Sequence, residues 1–514
     1  MTAPSTAVPP NAAKLPAAPP RTERLSFVEK AGYSLGDAAA NFVFMTMILF
    51  QLSFYTDTLG ITAAAAGTML LLGRLWDAFF DPIMGVVADR TNTRWGKFRP
   101  WVLWTALPWG VVMVLAYTVP GFGTTGKIIW AGLTNTLLMT LYSMNNTPYS
   151  ALSGVMTGDD TERTRLSSYR LMAAIIAQLV VGGFTLPLVA KLGQGDSARG
   201  WQLTMTIWAT VCVVFFLITF LTTRERIQPP PGQHANPRED FRLLARNGPW
   251  IAMFALTLAH FVYVAMRGGT MFYYFDYYVS EAELLRFLQG VGLPQATAGV
   301  DASGGLLGTF GLVLAADGSN AGPVGFSLFN IWSQLVTVIG IASSALLAVK
   351  FGKRPVALVG FSLASILGAA FSFLPAESVG ATFALEGVRA LAYAPTIPLI
   401  WAMFADVADY TEWKWNRRIT GVIFATILFA LKAGLSLGGA IAGWLLSGYG
   451  YRANAVQTSE ALQGIRLTAG VYPAIFLAIC VLCLFGYKIT RALNVQIQNE
   501  LAERRTRFTS NPAA

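Results

Sequence analysis

Residues 74–101 read RLWDAFFDPIMGVVADRTNTRWGKFRPW. Asp77 and Asp81 stand one helical turn apart in a run that is otherwise apolar enough to sit in lipid. An ionised Asp near a bilayer centre costs about 2.5–3.5 kcal/mol on insertion scales, and two on one helix face also repel each other. One reason to keep such a pair is an internal ion pair, and Arg74, three residues before Asp77, is within reach. The other is a small cation. Pro82 has no amide to offer the carbonyl of Ala78, so two carboxylates and a spare oxygen suit Na+ or Li+, while one titratable carboxylate suits H+. In LYSMNNTPYSAL (141–152), Ser143 and Asn146 share a face at a spacing of three, and Pro148 loosens their helix. They are candidates to complete the site, or ordinary polar packing groups between helices. Lys432 is a lone cation inside another apolar run, too far from its ends for snorkelling to explain it well.

These side chains need helices in a membrane to hold them. Of the 514 residues, 54% are hydrophobic and 12% charged, against about 25% charged in a soluble protein. Apolar runs of roughly 20 residues, the length that crosses a hydrocarbon core, recur along the whole chain. The pattern predicts twelve spans near 31–55, 62–88, 100–119, 127–150, 169–192, 201–222, 248–278, 325–349, 355–374, 380–404, 420–447 and 467–488. With both termini in the cytoplasm, most of the 37 Lys and Arg residues fall in tails and inner loops, as the positive-inside rule requires. The net charge of +10 is therefore mostly topology, and no nucleic-acid partner is expected. Four cations remain inside spans: Arg74, Arg267, Arg389 and Lys432. Residues 1–25, rich in proline, are expected to be a disordered cytoplasmic tail, and 489–514 a second cytoplasmic tail. Cys480 and Cys483 match a CxxC spacing but have no second pair or histidine beside them, so they read as small hydrophobes.

The chain also repeats itself. WGKFRPWVL (95–103) follows the second span and FGKRPVAL (351–358) the eighth. Pro148 precedes Asp159 and Glu162 by the same spacings at which Pro398 precedes Asp409 and Glu412. Two six-helix halves follow, 26–222 and 248–488, joined by a polar linker at 223–247 that contains a Pro-Pro-Pro run. Paired halves around a midplane site are a common plan of secondary transporters. A formal GxSxG at Gly434–Gly438 invites an intramembrane hydrolase reading, but a nucleophile elbow needs a strand–turn–helix and a partner histidine. The glycines at 434, 438, 439 and 443 suit close helix contact instead.

WDAFFDPIMGVVADRTNTRWGKFRPW closely resembles the signature of the glycoside–pentoside–hexuronide:cation symporters of the major facilitator superfamily. ADVADYTEWKWNRRITGVIFATILFALKAG (405–434) and GYRANAVQTSEALQGIR (450–466) resemble that family as well, over roughly residues 26–490. The resemblance implies an all-α membrane protein of twelve helices in two pseudo-symmetric bundles. It implies import of a sugar or glycoside with Na+ or H+ (Li+ possible), no other cofactor, no enzymatic activity, and a monomer in the bacterial inner membrane. An amphiphilic, lysolipid-like solute and an uncoupled facilitator are the alternatives.

Position by position, the resemblance places Asp77, Asp81 and Ser143 at the cation. It places Asp37, Asn41, Tyr142, Asn146, Tyr149, Arg170 and Lys432 around the solute. Asn41 and Asn146 stand where the family's galactoside carriers have sugar-binding aspartates, and Ser150 replaces a tryptophan. Neutral amides still exchange hydrogen bonds with hydroxyls but give none of the charge-assisted bonds of a carboxylate. Phe80 replaces an asparagine beside the cation. On the cytoplasmic side, Arg94, Lys97 and Arg99 are expected to pair across the halves with Asp406, Asp409 and Glu412. The outer segment 280–324 is long for the family; Ser280 and Glu283 form a capping-box pattern, predicting a short amphipathic helix on the membrane surface or over the outer mouth.

Overall fold

The computed structural model describes residues 24–157, 160–226, 242–296, 306–416 and 420–510. The proposed N-terminal tail up to residue 23 and the middle of the linker, 227–241, lie outside the described residues.

The first half comprises α1 (Phe27–Ser53), α2 (Ala63–Arg90), α3 (Arg99–Ala116), α4 (Thr124–Met156), α5 (Asp160–Gly193) and α6 (Ser197–Thr222). Helix starts follow side-chain chemistry. Ser26 and Glu29 form a reciprocal capping box at α1, and Thr62 caps α2. Glu225 accepts from the amides of Lys97, Phe98 and Arg99, capping α3 from the end of the same half.

The second half repeats the plan. It comprises α7 (Gly248–Tyr273), a short outer helix α8 (Glu281–Gly290), α9 (Ala321–Phe351), α10 (Lys353–Ala370), α11 (Val379–Tyr393), α12 (Thr396–Trp415), α13 (Thr420–Gly448), α14 (Ser459–Ala469), α15 (Val471–Gly486) and α16 (Arg491–Ser510). Two expected spans are pairs of helices. The tenth breaks between α11 and α12 at Ala394–Pro395, where proline withholds its amide. The twelfth begins at Ser459 and kinks at Gly470 between α14 and α15. The 489–514 region is more than a tail: its helix α16 buries Ile497 and Leu501, and Glu500 accepts from Trp413 on α12 at 2.6 Å.

Ten of these segments are long and apolar enough to cross a membrane by themselves. The expected count of twelve is completed by α2, of 28 residues, and α4, of 33. At 1.5 Å per residue both exceed about 40 Å and span a bilayer. They fall short only in apolarity, being the two helices that carry Asp77, Asp81, Ser143 and Asn146. Exposed Leu72, Phe79, Ile83 and Val86 give α2 a lipid-facing side.

Within the first half α1 packs on α5 and α6, and α4 on α2 and α3. In the second, α7 packs on α13 and α15, and α11 on α9 and α10. The halves meet along α2 with α13, α5 with α9, and α1 with α7. Glycines set the closest of these crossings. A Cβ on Gly443 would stand 2.4 Å from the carbonyl oxygen of Ala63 on α2, and one on Gly438 2.4 Å from that of Val262 on α7. The two GxxxG spacings thus serve different neighbours, one in each half.

Candidate cation and solute site

Where α2 crosses α13, the two aspartates face inward. Ser143 on α4 donates to Asp81 at 2.6 Å and also contacts Asp77. A hydroxyl has one proton, so it can donate to only one of them at a time. The Lys432 ammonium, from the opposite half, lies 2.7 Å from Asp77 and also pairs with Asp81. Thr147, one turn beyond Ser143, reaches Asp81 at 3.3 Å. Arg74, the ion-pair partner suggested by spacing alone, instead places its guanidinium 5.7 Å from the Phe44 ring centroid. Phe80 stacks on Trp76 and contributes no oxygen. The pocket is graded: the side chain of Asp77 is 5% exposed, that of Lys432 17% and that of Asp81 29%. Two carboxylates therefore share one ammonium, and Asp81, the member nearer the Arg90 end of α2, is the accessible one.

A second polar group lies between α1 and α5. Arg170 pairs with Asp37 at 2.9 Å, and its guanidinium sits over the rings of Tyr33 and Tyr149. Those rings stack 4.6 Å apart, and each hydroxyl donates to the other residue's carbonyl, at 3.1 and 2.7 Å. Tyr149, expected to face solute, is fully buried and has its hydroxyl engaged, so its position is that of a brace for Arg170. Asn41 donates to the Asp37 carbonyl at 2.8 Å and accepts from Gln178 at 3.1 Å. Tyr142 is half-buried with its ring edge on Trp109. Asn146 is half-buried too, and its side chain makes no hydrogen bond among the described residues.

The cytoplasmic bridges are not formed by the pairs expected. Asp406 is held within its own half by Lys353 at 2.7 Å, Tyr487 at 3.1 Å and Asn494 at 3.2 Å. Arg99 donates to the Phe220 carbonyl at 2.6 Å, Arg94 lies over Trp95, and the Lys97 amide binds Glu225. Asp409 and Glu412 follow Asp406 on α12. Arg94, Lys97, Arg99 and Asp406 thus take partners within their own halves in this state, the one in which the opposite end of the bundle is closed.

The halves are also tied at the end of the bundle opposite the 94–99 loop, expected to be the outer one, and sequence reasoning missed this tie. Both α1 and α7 end in a π-helical turn, Phe54–Thr58 and Tyr274–Tyr278, each carrying one aspartate. Asp57 accepts from Tyr451 at 2.6 Å and from Tyr277, while Asn454 donates to its carbonyl at 2.6 Å. Thr56 meets Tyr273 at 2.8 Å. The signal was present as an internal echo, FYTDT against YFDYY.

The 280–324 segment strengthens this closure. Its helix α8 starts after Ser280 as expected, but Ser280 makes no side-chain cap bond, and Glu283 pairs with Arg286 at 2.6 Å. Leu284 and Leu288 are buried, and Phe287 packs on Phe383 of α11. The described part of the return segment, from residue 306, then reaches the other half. Lys191 at the end of α5 donates to the carbonyls of Gly308 and Thr309 at 2.7 and 3.1 Å, and Phe310 packs on Phe184 with ring centroids 4.6 Å apart. Beneath it lies a cavity of about 660 Å³ lined by Asp57, Lys191, Trp201, Phe272, Asp276 and Asn320.

Ser436, centre of the GxSxG, sits within α13 and donates to the Lys432 carbonyl at 2.8 Å, a helical position that offers no nucleophile elbow. Two pseudo-symmetric helical bundles enclosing a charged, inward-facing polar site define a multi-pass membrane protein. Residues 32–311 and 321–491 match the family described as MFS/sugar transport protein, and the chain belongs to that family. It is 35% identical to the inner membrane symporter YicJ of Escherichia coli (strain K12), over 95% of this chain and 99% of that one. The isoprimeverose transporter of Lactiplantibacillus pentosus is 30% identical, over 90% of this chain and 89% of its own. Among solved structures, the D-xylose-proton symporter superposes with a TM-score of 0.57 at 16% identity, covering 90% of this chain and 97% of that one. That likeness is one of fold.

Proposed function

We propose that the protein imports a sugar or glycoside together with a monovalent cation, Na+ or H+, across a bacterial plasma membrane, with both termini in the cytoplasm. The observation that carries this reading is the ammonium of Lys432 seated between two carboxylates of the other half. An ammonium is a monovalent cation tethered to the chain, so it marks the place and charge that a free cation would take. Entry past the more exposed Asp81 would displace Lys432, replacing a bond between the halves by one within the first half. Loosening that link is how cation occupancy would bias the rocking of one bundle against the other. By linkage, the solute and the cation then raise each other's affinity by one common factor.

The solute side rests on Asp37, Asn41, Tyr142, Asn146, Arg170 and Lys432, a set rich in amides, with one charge-assisted pair. Such groups suit a neutral polyhydroxylated solute. The names of relatives, a glycoside/cation symporter (putative) and an isoprimeverose transporter, make pentose-containing glycosides the first probes. The deciding experiment is uptake of labelled isoprimeverose into vesicles under Na+ and pH gradients imposed separately. Accumulation driven by one gradient supports symport and names the ion; equilibration indifferent to both rejects coupling.

Two gates accompany the reading. When the outer side opens, Arg94, Lys97 and Arg99 would meet Asp406, Asp409 and Glu412, with Asp406 exchanging Lys353 for a partner across the gap. Exposed pairs are individually worth little, so only a network would serve. Charge reversal in both loops should restore uptake lost by reversal in one. The 280–324 segment would act as an outer strap; unchanged uptake after replacing it with a short linker removes that role.

A further inference from the structure

We infer that Gln178 and Gln334 form an additional solute-binding pair, with a sugar hydroxyl inserting between their amides and joining the halves. This rests on the transport reading above and specifies where solute touches the second half. Four side chains make a ladder along one face of α1 and α5. Asp37 and Asn41 are one turn apart on α1, and Arg170 and Gln178 two turns apart on α5. Arg170 pairs with Asp37 at 2.9 Å, and Gln178 donates to Asn41 at 3.1 Å. The ladder continues into the other half: Gln334 on α9 donates to the free oxygen of Gln178 at 3.5 Å.

That last contact is the weak rung. An N–H···O hydrogen bond is usually 2.7–3.2 Å long, so at 3.5 Å little is lost when the amides part. The Gln334 side-chain oxygen accepts no hydrogen bond among the described residues, and the Asn146 side chain makes none. Polar groups at membrane depth are costly when unmade, and these three residues are all half-buried, where solvent or solute can reach them. A hydroxyl both donates and accepts. Placed between the two amides, it accepts from the Gln334 N–H and donates to the Gln178 oxygen, turning one long contact into two ordinary ones. Gln178 already holds Asn41, so the solute engages both sides of the α5–α9 seam at once. One turn away the seam is closely packed, a Cβ on Gly182 standing 3.4 Å from Asn330, so the two amides face each other where the helices already meet.

The test is uptake of isoprimeverose and its monodeoxy derivatives by the full-length protein in vesicles. Losing a hydrogen bond of this kind costs on the order of 1 kcal/mol, so Gln178→Leu and Gln334→Leu should each raise the half-saturation constant about five- to tenfold. Maximal rate should stay within about twofold, and stabilisation by the coupling cation, which reads Asp77 and Asp81, should persist. One monodeoxy derivative should be a poor solute for the parent and no poorer than isoprimeverose for either variant. An unchanged half-saturation constant, a fall confined to maximal rate, or equal discrimination against every deoxy derivative would overturn the inference, leaving the transport reading intact. If the parent takes up none of these solutes while its cation response is intact, the glycoside reading fails first and the inference with it.

Discussion

Two of the buried ionic clusters among the described residues are built with opposite purposes. At the α2–α13 crossing, two carboxylates share one ammonium. In the second half, two guanidinium groups share one carboxylate. Glu386 accepts from Arg267 at 2.7 Å, from Arg389 at 2.8 Å and from Ser333 at 2.5 Å, while Arg389 donates to Tyr263 at 2.6 Å and Arg267 to the Ala469 carbonyl at 3.1 Å. The side chains of this triad are 8%, 2% and 6% exposed for Arg267, Glu386 and Arg389. All its members come from one half; guanidinium forks lock their partners in fixed directions. The aspartate cluster straddles both halves, uses a flexible lysine as its cation, and is wetter at one edge. A closed, single-half cluster pins helices together. An open one that crosses the halves can exchange its cation and report the exchange as motion.

Breaking each cluster should therefore have different consequences. The largest effect is expected for Glu386→Ala, which leaves two guanidinium groups facing each other; losing one partner of a buried pair costs about 3–5 kcal/mol. Thermal melting of purified protein should fall steeply, and expression with it, whatever cation is present. A melting temperature close to the parent's would show that the triad is no pin.

Asp81→Asn comes next. Gradient-driven accumulation should drop by roughly 100-fold or more, equivalent to about 2.7 kcal/mol, while the protein remains folded by size-exclusion profile. Retained accumulation under the same gradient would remove Asp81 from the cation site.

Lys432→Ala sharpens the comparison most directly. It leaves two neighbouring carboxylates without their ammonium, so the variant should melt below the parent in cation-free buffer and recover when the coupling cation is added. The recovery grows as RT ln(1 + [L]/Kd), about 2.7 kcal/mol at a concentration 100 times Kd. Arg389→Ala should show no such recovery. Equal cation responses in the two variants would erase the distinction.

Ser143→Ala should cost less, about 1–1.5 kcal/mol, or a five- to tenfold weaker cation affinity measured by the concentration dependence of stabilisation. The smallest change is expected for Lys191→Ala. It removes hydrogen bonds to Gly308 and Thr309 but leaves Phe310 on Phe184 and the Asp57 network in place. An outer-facing cysteine reporter should label about two- to threefold faster, since a lost bond of about 0.5 kcal/mol shifts an equilibrium by that factor.

Much of this was legible from residue types and spacings. Apolar runs announced the spans because length and hydropathy are properties of contiguous sequence. Asp77, Asp81 and Ser143 stood out because carboxylates and hydroxyls in such runs carry a cost that needs a reason. The repeat located the two halves. What spacing misjudged were partnerships between distant segments. Arg74 looked like the natural partner of Asp77 because i,i+3 neighbours are near on any helix, yet Lys432, far away in sequence, took the place. On the 94–99 side, Asp406 likewise takes a partner from its own half, Lys353, that spacing did not single out. The outer closure through Asp57, Tyr277 and Tyr451 went unseen, although its FYTDT and YFDYY echo was there to find.

By itself, the order of residues determined which helices exist and which side chains are too costly in lipid to be idle. Those are local matters: a hydropathy sum, a helical period, a desolvation penalty. Only the tertiary structure decided who neutralises whom. Glycine 443 against α2 and glycine 438 against α7 set how closely α13 approaches each half, and that approach places the Lys432 ammonium between two aspartates. Charge pairing acts over a few ångströms, and distances of that size between segments hundreds of residues apart exist only once the helices have packed.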